Sequence, residues 1–253
     1  MTGASGPPRT ARRADGGGRR GASPRIKSVM GDVIYEALQL AGILAFALSG
    51  ALVGVRRNLD ILGVVVVGAA TGTGGGILRD MLLGVHPPVS FLHWPNLAVA
   101  VAGSLVVFFV HPGLTRIRYF EVVFDAFGLG LFSANGAALA YASGQTFVTA
   151  VLVGTITAIG GGVIRDVLVN TVPGVLTREL YAVSALAGGV IAVSIGAFGG
   201  GVILGSLAGG TVAIALRLTS VARGWHLPRP KFSPEPARGA TDSTEPSPGG
   251  SGA

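Results

Sequence analysis

The strongest constraint on this chain is a motif that occurs twice. Shifting the sequence by 86 residues superposes Gly74-Gly75-Gly76 on Gly160-Gly161-Gly162, Arg79-Asp80 on Arg165-Asp166 and Pro87 on Pro173. At the same offset Phe46, Gly50, Val65, Val67, Gly68 and Thr71 fall on Phe132, Gly136, Val151, Val153, Gly154 and Thr157. Chance identity among apolar residues is common, but a gap-free shared GGGxxRD marks an internal duplication. The fold therefore has to be built from two equivalent units.

Both units lie in apolar sequence. Hydrophobic residues make up 49% of the chain and charged residues 12%, where a soluble domain carries about 25% charged. Mean hydropathy is +0.63. A transmembrane helix needs about 20 mostly apolar residues, and segments at 33–54, 61–84, 95–111, 119–142, 147–170, 179–197 and 200–218 qualify. The last two are divided at Gly199-Gly200-Gly201 within 181–216, which carries no charge. Each copy of the repeat holds three spans, an odd number, so the copies cross the bilayer in opposite senses. The expected fold is an all-α integral membrane protein of seven transmembrane helices: an inverted repeat of three helices, spans 1–3 and 4–6, plus a seventh helix. In chain order this gives a basic tail at 1–31, a first repeat at 32–118, a second at 119–198, the seventh helix at 199–220 and a second tail at 221–253.

The net charge of +7 and sequence pI near 10.8 invite a nucleic-acid reading, which the distribution of charge excludes. Residues 31–220 hold eight Arg and eight Asp or Glu, so the basicity belongs to tails rich in Gly, Pro, Ser and Arg. Such tails bury too little apolar surface to fold, and neither presents a basic face with base-reading groups. Arg12-Arg13 and Arg19-Arg20 mimic a twin-arginine export signal, but the apolar segment that follows leads into further spans rather than a cleavage site. Arg56, Arg57, Arg116, Arg118 and Arg178 fall in loops on one side, with Arg217, Arg223, Arg229 and Lys231 after the last span. The positive-inside rule then puts the C-terminus in the cytoplasm. The basic N-terminal tail conflicts with this placement, and a start at Met30 instead of Met1 would remove the conflict.

The two motifs are the candidate site. Three consecutive glycines cost a helix roughly 2–3 kcal/mol relative to alanine, and gaps in backbone pairing are tolerated in a membrane only where protein or a water-filled cavity covers them. Spans 2 and 5 are thus expected to break at Gly74, Gly75, Gly76 and at Gly160, Gly161, Gly162, facing each other near the midplane, as in inverted-repeat transporters. Close helix packing through small residues is the alternative, but it leaves the charged pairs unaccounted for. Arg79, Asp80, Arg165 and Asp166 lie inside apolar spans, where ions mark a cavity or a partner. Neighbouring helical residues diverge by about 100°, so each Arg is expected to pair across to another helix. Asp125 aligns with Gln39 and Asn135 with Ser49; these either accept hydrogen bonds from the arginines or coordinate a cation. Glu36 and Glu121 sit at span entrances as interfacial residues.

Other motifs fail. The glycine triplet lacks the Lys-Ser/Thr of a phosphate-binding loop. His86, His93, His111 and His226 lack ligand spacing, and the chain has no cysteine, so no metal or cofactor is implied. No serine or histidine has triad partners, and nothing points to an enzyme.

Seven spans, an inverted repeat and a doubled GGGxxRD resemble the bacterial relatives of the trimeric intracellular cation (TRIC) channels, a family also described as glycine transporter domain proteins. The resemblance covers about 32–220. It implies a homotrimer in the bacterial plasma membrane, each subunit with a pore lined by the second and fifth helices and passing potassium and sodium. The family's other description makes a secondary carrier for a small amino acid such as glycine the competing expectation, which two arginines near the path would suit. The animal channels carry a lipid-binding lysine motif on a pore helix; this chain has no lysine between 28 and 230.

Overall fold

The computed structural model describes residues 25–114, 119–177 and 180–225. Among these residues the chain is all helix: α1 Arg25–Arg56, α2 Ile61–Leu82, α3 Val89–Leu92, α4 Trp94–Leu114, α5 Tyr119–Ala142, α6 Phe147–Leu168, α7 Gly174–Thr177, α8 Tyr181–Ala197 and α9 Gly201–Arg223. Six of them contain a stretch long and apolar enough to cross a membrane, and α8, at 17 residues, is a shorter apolar helix. The protein is an all-helical membrane protein. The expected division of 181–216 falls where it was placed, with positive φ at Gly199 and Gly201. Two single-turn helices, α3 and α7, were not anticipated. Residues 25–31 of the expected N-terminal tail belong to α1 and 221–223 of the C-terminal tail to α9; the rest of the N-terminal tail, residues 226–253, Arg116, Arg118 and Arg178 lie outside the described residues.

The duplication extends to local features that sequence identity hides. Asp60 caps α2 by accepting from Gly63 N at 2.7 Å, and 86 residues later Thr146 caps α6 by accepting from Thr149 N at 3.3 Å. Helix ends leave unpaired N–H groups that such side chains satisfy. The turns reverse through left-handed residues at matched positions: Asn58 (φ 55°) with Gly144 (φ 88°), and Gly84 (φ 71°) with Asn170 (φ 54°). Glycine and asparagine are the residues that adopt this conformation at least cost, so one geometry is kept by two residue types.

The centre of the bundle is made from repeat partners. Phe46 and Phe132 meet edge to face with centroids 5.3 Å apart, each lying against the other half's glycine, Phe46 on Gly128 and Phe132 on Gly42. Around them α2 and α6 cross at their triplets. Gly75 abuts the carbonyl of Thr157 and Gly161 that of Thr71, while Ile164 covers Gly74 and Leu78 covers Gly160. The C-terminal end of α2 lies beside Tyr35 and Gln39, through Arg79, and that of α6 beside Ser49 further along α1, through Arg165, so α2 and α6 run antiparallel. The expected break is not found: both helices continue without interruption through their glycines. The reason is steric. A Cβ at Gly161 would stand 2.5 Å from the Thr71 oxygen and one at Gly75 2.2 Å from the Thr157 oxygen, so the middle glycine of each triplet is small because another backbone occupies the space of a side chain.

Candidate membrane-embedded ion-pair sites

Each triplet leads, within a turn, to an Arg-Asp pair in the last turns of its helix, where a cation also complements the helix dipole. In the first half, Arg79 Nε donates to Asp80 Oδ1 at 2.9 Å and Nη2 approaches the same oxygen to 2.7 Å. In the second, Arg165 Nε donates to Asp166 Oδ1 at 2.9 Å. The expectation that each Arg would pair across to another helix rather than with its neighbour is corrected for Arg79, whose only carboxylate among the described residues is that of Asp80, and met in part for Arg165, which pairs both with Asp166 and across to Asp125. The guanidinium folds back far enough to reach the adjacent carboxylate, whose second oxygen has another task. Asp80 Oδ2 accepts from Val89 N at 2.8 Å and Asp166 Oδ2 from Gly174 N at 2.7 Å. Each pair thereby ties the end of a long helix to the start of a single-turn helix.

The cross-helix partners differ between the halves. Arg79 Nη1 meets Tyr35 Oη and Gln39 Oε1 at 3.4 Å each. Arg165 Nη1 donates to Asp125 Oδ1 at 2.7 Å and to Ser49 Oγ at 2.8 Å. Gln39 and Asp125 thus occupy equivalent places as acceptors from the arginines, which is one of the two roles expected of them. Ser49 joins the second-half site, but its repeat partner Asn135 does not join the first. Asn135 Oδ1 accepts instead from Ser206 of α9 at 3.2 Å. Two residues were missed from sequence. Tyr181 donates to Asp125 Oδ1 at 3.4 Å, and Arg217 stacks over the Tyr181 ring at 5.0 Å. Arg217, counted above with the C-terminal tail, is buried at 1% exposure within α9. A charge on the penultimate turn of an apolar helix reads as snorkelling, and only the fold turns it inward.

Two cavities abut these pairs. One, of about 510 Å³, is lined by Tyr35, Glu36, Gln39, Arg79, Asp80 and Asn96 among others; the second, of about 230 Å³, by Val53, Arg56, Arg57, Glu121, Asp166 and Thr171 among others. Their walls correspond at the repeat offset. Tyr35, Asp80, Val85, Leu139 and Ser143 of the first match Glu121, Asp166, Thr171, Val53 and Arg57 of the second. They open at opposite ends of the bundle, because Tyr35 and Val53 stand about 27 Å apart along α1 at 1.5 Å per residue. Glu121, an expected interfacial residue, forms an ion pair with Arg56 at the second cavity.

These features define a class: a multi-pass α-helical membrane protein with two antiparallel glycine-rich helices, each ending in a buried Arg-Asp pair beside a cavity. The chain belongs to the family described as glycine transporter, whose profile matches residues 36–112 and 122–197. It is 43% identical over 153 residues to a UPF0126 membrane protein of Deinococcus radiodurans, covering 60% of this chain and 71% of that one. It is 35% identical over 199 residues to the UPF0126 inner membrane protein YadS of Escherichia coli K12, covering 78% and 95%. Among solved structures, the TRIC trimeric intracellular cation channel orthologue from Rhodobacter sphaeroides superposes with a TM-score of 0.72 at 35% identity, over 76% of this chain and 99% of that one.

Proposed function

We propose that the protein is a passive monovalent-cation channel for potassium and sodium in the bacterial plasma membrane, working as a homotrimer with one path in each protomer. In this reading α8 also crosses the membrane, as the sixth of seven spans, residues 32–118 and 119–198 are inverted three-helix repeats, 199–220 is the appended seventh helix and the C-terminus is cytoplasmic. The observation that carries the proposal is the pair of repeat-related cavities at opposite ends of the bundle, separated by the α2–α6 crossing. A route between them passes Arg79 and Asp80, the triplets Gly74–Gly76 and Gly160–Gly162, and Asp166 with Arg165 and Asp125. Asn135 stands off it. In the conformation described, Phe46 and Phe132 fill the middle, so conduction requires α2 and α6 to separate there. The family likeness to a trimeric cation channel supports both the trimer and the cation. Acids accompany each arginine on the route, which offsets the repulsion a passing cation would meet.

The second reading, a carrier for glycine or a similar amino acid, is favoured by the guanidinium of Arg79 in the wall of the larger cavity. Potassium flux and labelled glycine uptake, measured side by side in liposomes holding the purified protein, separate the two. Potassium flux without glycine uptake is expected; saturable glycine counterflow without potassium flux would overturn the channel.

A further inference from the structure

The two cavities differ most in the charges that their walls leave uncompensated. In the larger, Arg79 and Asp80 form an ion pair at 2.7 Å, so together they add no net charge. The one further carboxylate in that wall is Glu36, which is exposed and in no ion pair among the described residues. In the smaller cavity Glu121 is paired with Arg56 and Asp166 with Arg165. Behind that wall Arg165 and the buried Arg217 stand against Asp125 and Asp166, so the cluster is balanced. What is left over is Arg57, exposed and likewise in no ion pair among the described residues. One mouth keeps an acid and the other a base.

The duplication isolates this difference. At the 86-residue offset Glu36 falls on Val122 and Arg57 on Ser143, while both Arg-Asp pairs are kept. Ser143 lines the larger cavity in the place that Arg57 takes in the smaller. A cation crossing a cavity of about 510 Å³ passes within roughly 6 Å of its wall, where a unit charge in water is worth slightly more than RT. Such a charge raises the cation concentration at the Glu36 mouth about threefold and lowers it by a similar factor at the Arg57 mouth.

We infer, resting on the channel reading above, that the path rectifies: Glu36 draws cations into the larger cavity and Arg57 holds them back at the smaller, so current is larger when cations enter at the Glu36 mouth. The two residues set the direction of easy flow without touching the central crossing. With the C-terminus cytoplasmic as proposed, seven spans place the start of α1, and with it the larger cavity, on the outer side. Inward cation current is then the larger. Both charges are exposed, so salt screens them, and the asymmetry fades as ionic strength rises. A rectification built into the shape of the bundle would not fade in this way.

The test is planar-bilayer recording of the purified full-length protein in symmetric potassium chloride. At about 10 mM salt, where the screening length is about 30 Å, currents at equal and opposite voltages should differ about threefold or more. At about 1 M, with a screening length of about 3 Å, the ratio should fall toward one. The chain has no cysteine, so Glu36→Cys introduces a single thiol. That variant should lose about threefold of the current that enters at its own mouth. A negatively charged methanethiosulfonate reagent added to that compartment should restore the current, and a positively charged one should depress it further. Arg57→Gln should raise the current entering at the opposite mouth by a similar factor. Gel filtration establishes that the variants keep the assembly of the wild type. Equal currents in both directions at low salt, a ratio unchanged at high salt, or a Glu36→Cys current indifferent to the sign of the reagent would each overturn the inference and leave the channel standing. Absence of any wild-type current would overturn the channel reading and the rectification with it.

Discussion

Asp125→Asn tests whether charge, and not shape, holds the second-half site together. Asp125 is fully buried and accepts from Arg165 Nη1 at 2.7 Å and from Tyr181 Oη at 3.4 Å. Breaking a buried pair outright costs about 3–5 kcal/mol because an uncompensated charge is left behind. Here Arg165 keeps Asp166 at 2.9 Å and Ser49 at 2.8 Å, so that range is an upper bound. What is lost is one charge-assisted hydrogen bond, about 1.5–3 kcal/mol, and the charge balance of the cluster, since Arg165 then keeps a single carboxylate, that of Asp166. The expected destabilisation is about 2–3 kcal/mol. The matched change in the first half, Gln39→Leu, removes only long hydrogen bonds at 3.3–3.5 Å, none to a carboxylate, and should cost about 1 kcal/mol. Both are read from SDS titrations of the detergent-solubilised protein followed by circular dichroism. An Asp125→Asn effect below about 0.5 kcal/mol, or a Gln39→Leu effect equal to it, would refute the claim that the two repeat-related sites differ in how their arginines are held.

The glycines of one triplet should separate by what faces them. Gly75→Ala drives a methyl into the Thr157 carbonyl and should destabilise by about 1–3 kcal/mol. Gly76→Ala meets nothing nearer than Ser90 Oγ at 3.5 Å and should be neutral or gain up to about 1 kcal/mol of helix propensity; equal melting temperatures for the two variants would contradict the crossing. Asp80→Ala removes the acceptor of Val89 N, so hydrogen exchange of the α2–α4 connection should accelerate while the core of α5 stays protected, and unchanged exchange there would dissolve the proposed tie. Glu121→Gln, at a partly exposed ion pair, should shift stability by no more than about 1 kcal/mol.

The membrane class, the six long spans and the division near Gly199 were legible because burial in lipid writes itself as uninterrupted apolar sequence, and that signal needs no tertiary knowledge. The duplication was legible at GGGxxRD because a close backbone crossing admits only glycine and a buried ion pair admits few substitutes. It was not legible at Asn58 and Gly144, or at Asp60 and Thr146, where the physical demand is a left-handed turn or an oxygen cap that different residues meet equally well. The same triplets were misread as breaks. Sequence reports the absence of a side chain, but not whether water or another backbone fills the vacated space, and here Thr71 and Thr157 carbonyls fill it.

What identity between the halves concealed most completely is their functional difference. Superposing Gln39 on Asp125 counts as one mismatch among many, yet it decides whether the neighbouring arginine is neutralised from within the chain or left to face a cavity. Tyr181 and Arg217 reinforce that distinction from α8 and α9. No position in the first repeat corresponds to Arg217, because α9 follows the second repeat and has no counterpart after the first. A duplicated membrane protein of this kind acquires sidedness by adding a helix that completes one site and leaves its twin open. If that is the role of α9, then removing its inward charge with Arg217→Met should loosen the second-half cluster, seen as reduced stability, while leaving the hydrogen-exchange protection of the α2–α4 connection, tied by Asp80 to Val89 N, unchanged. A drop in both would mean that the two ends of the bundle are coupled rather than independently built.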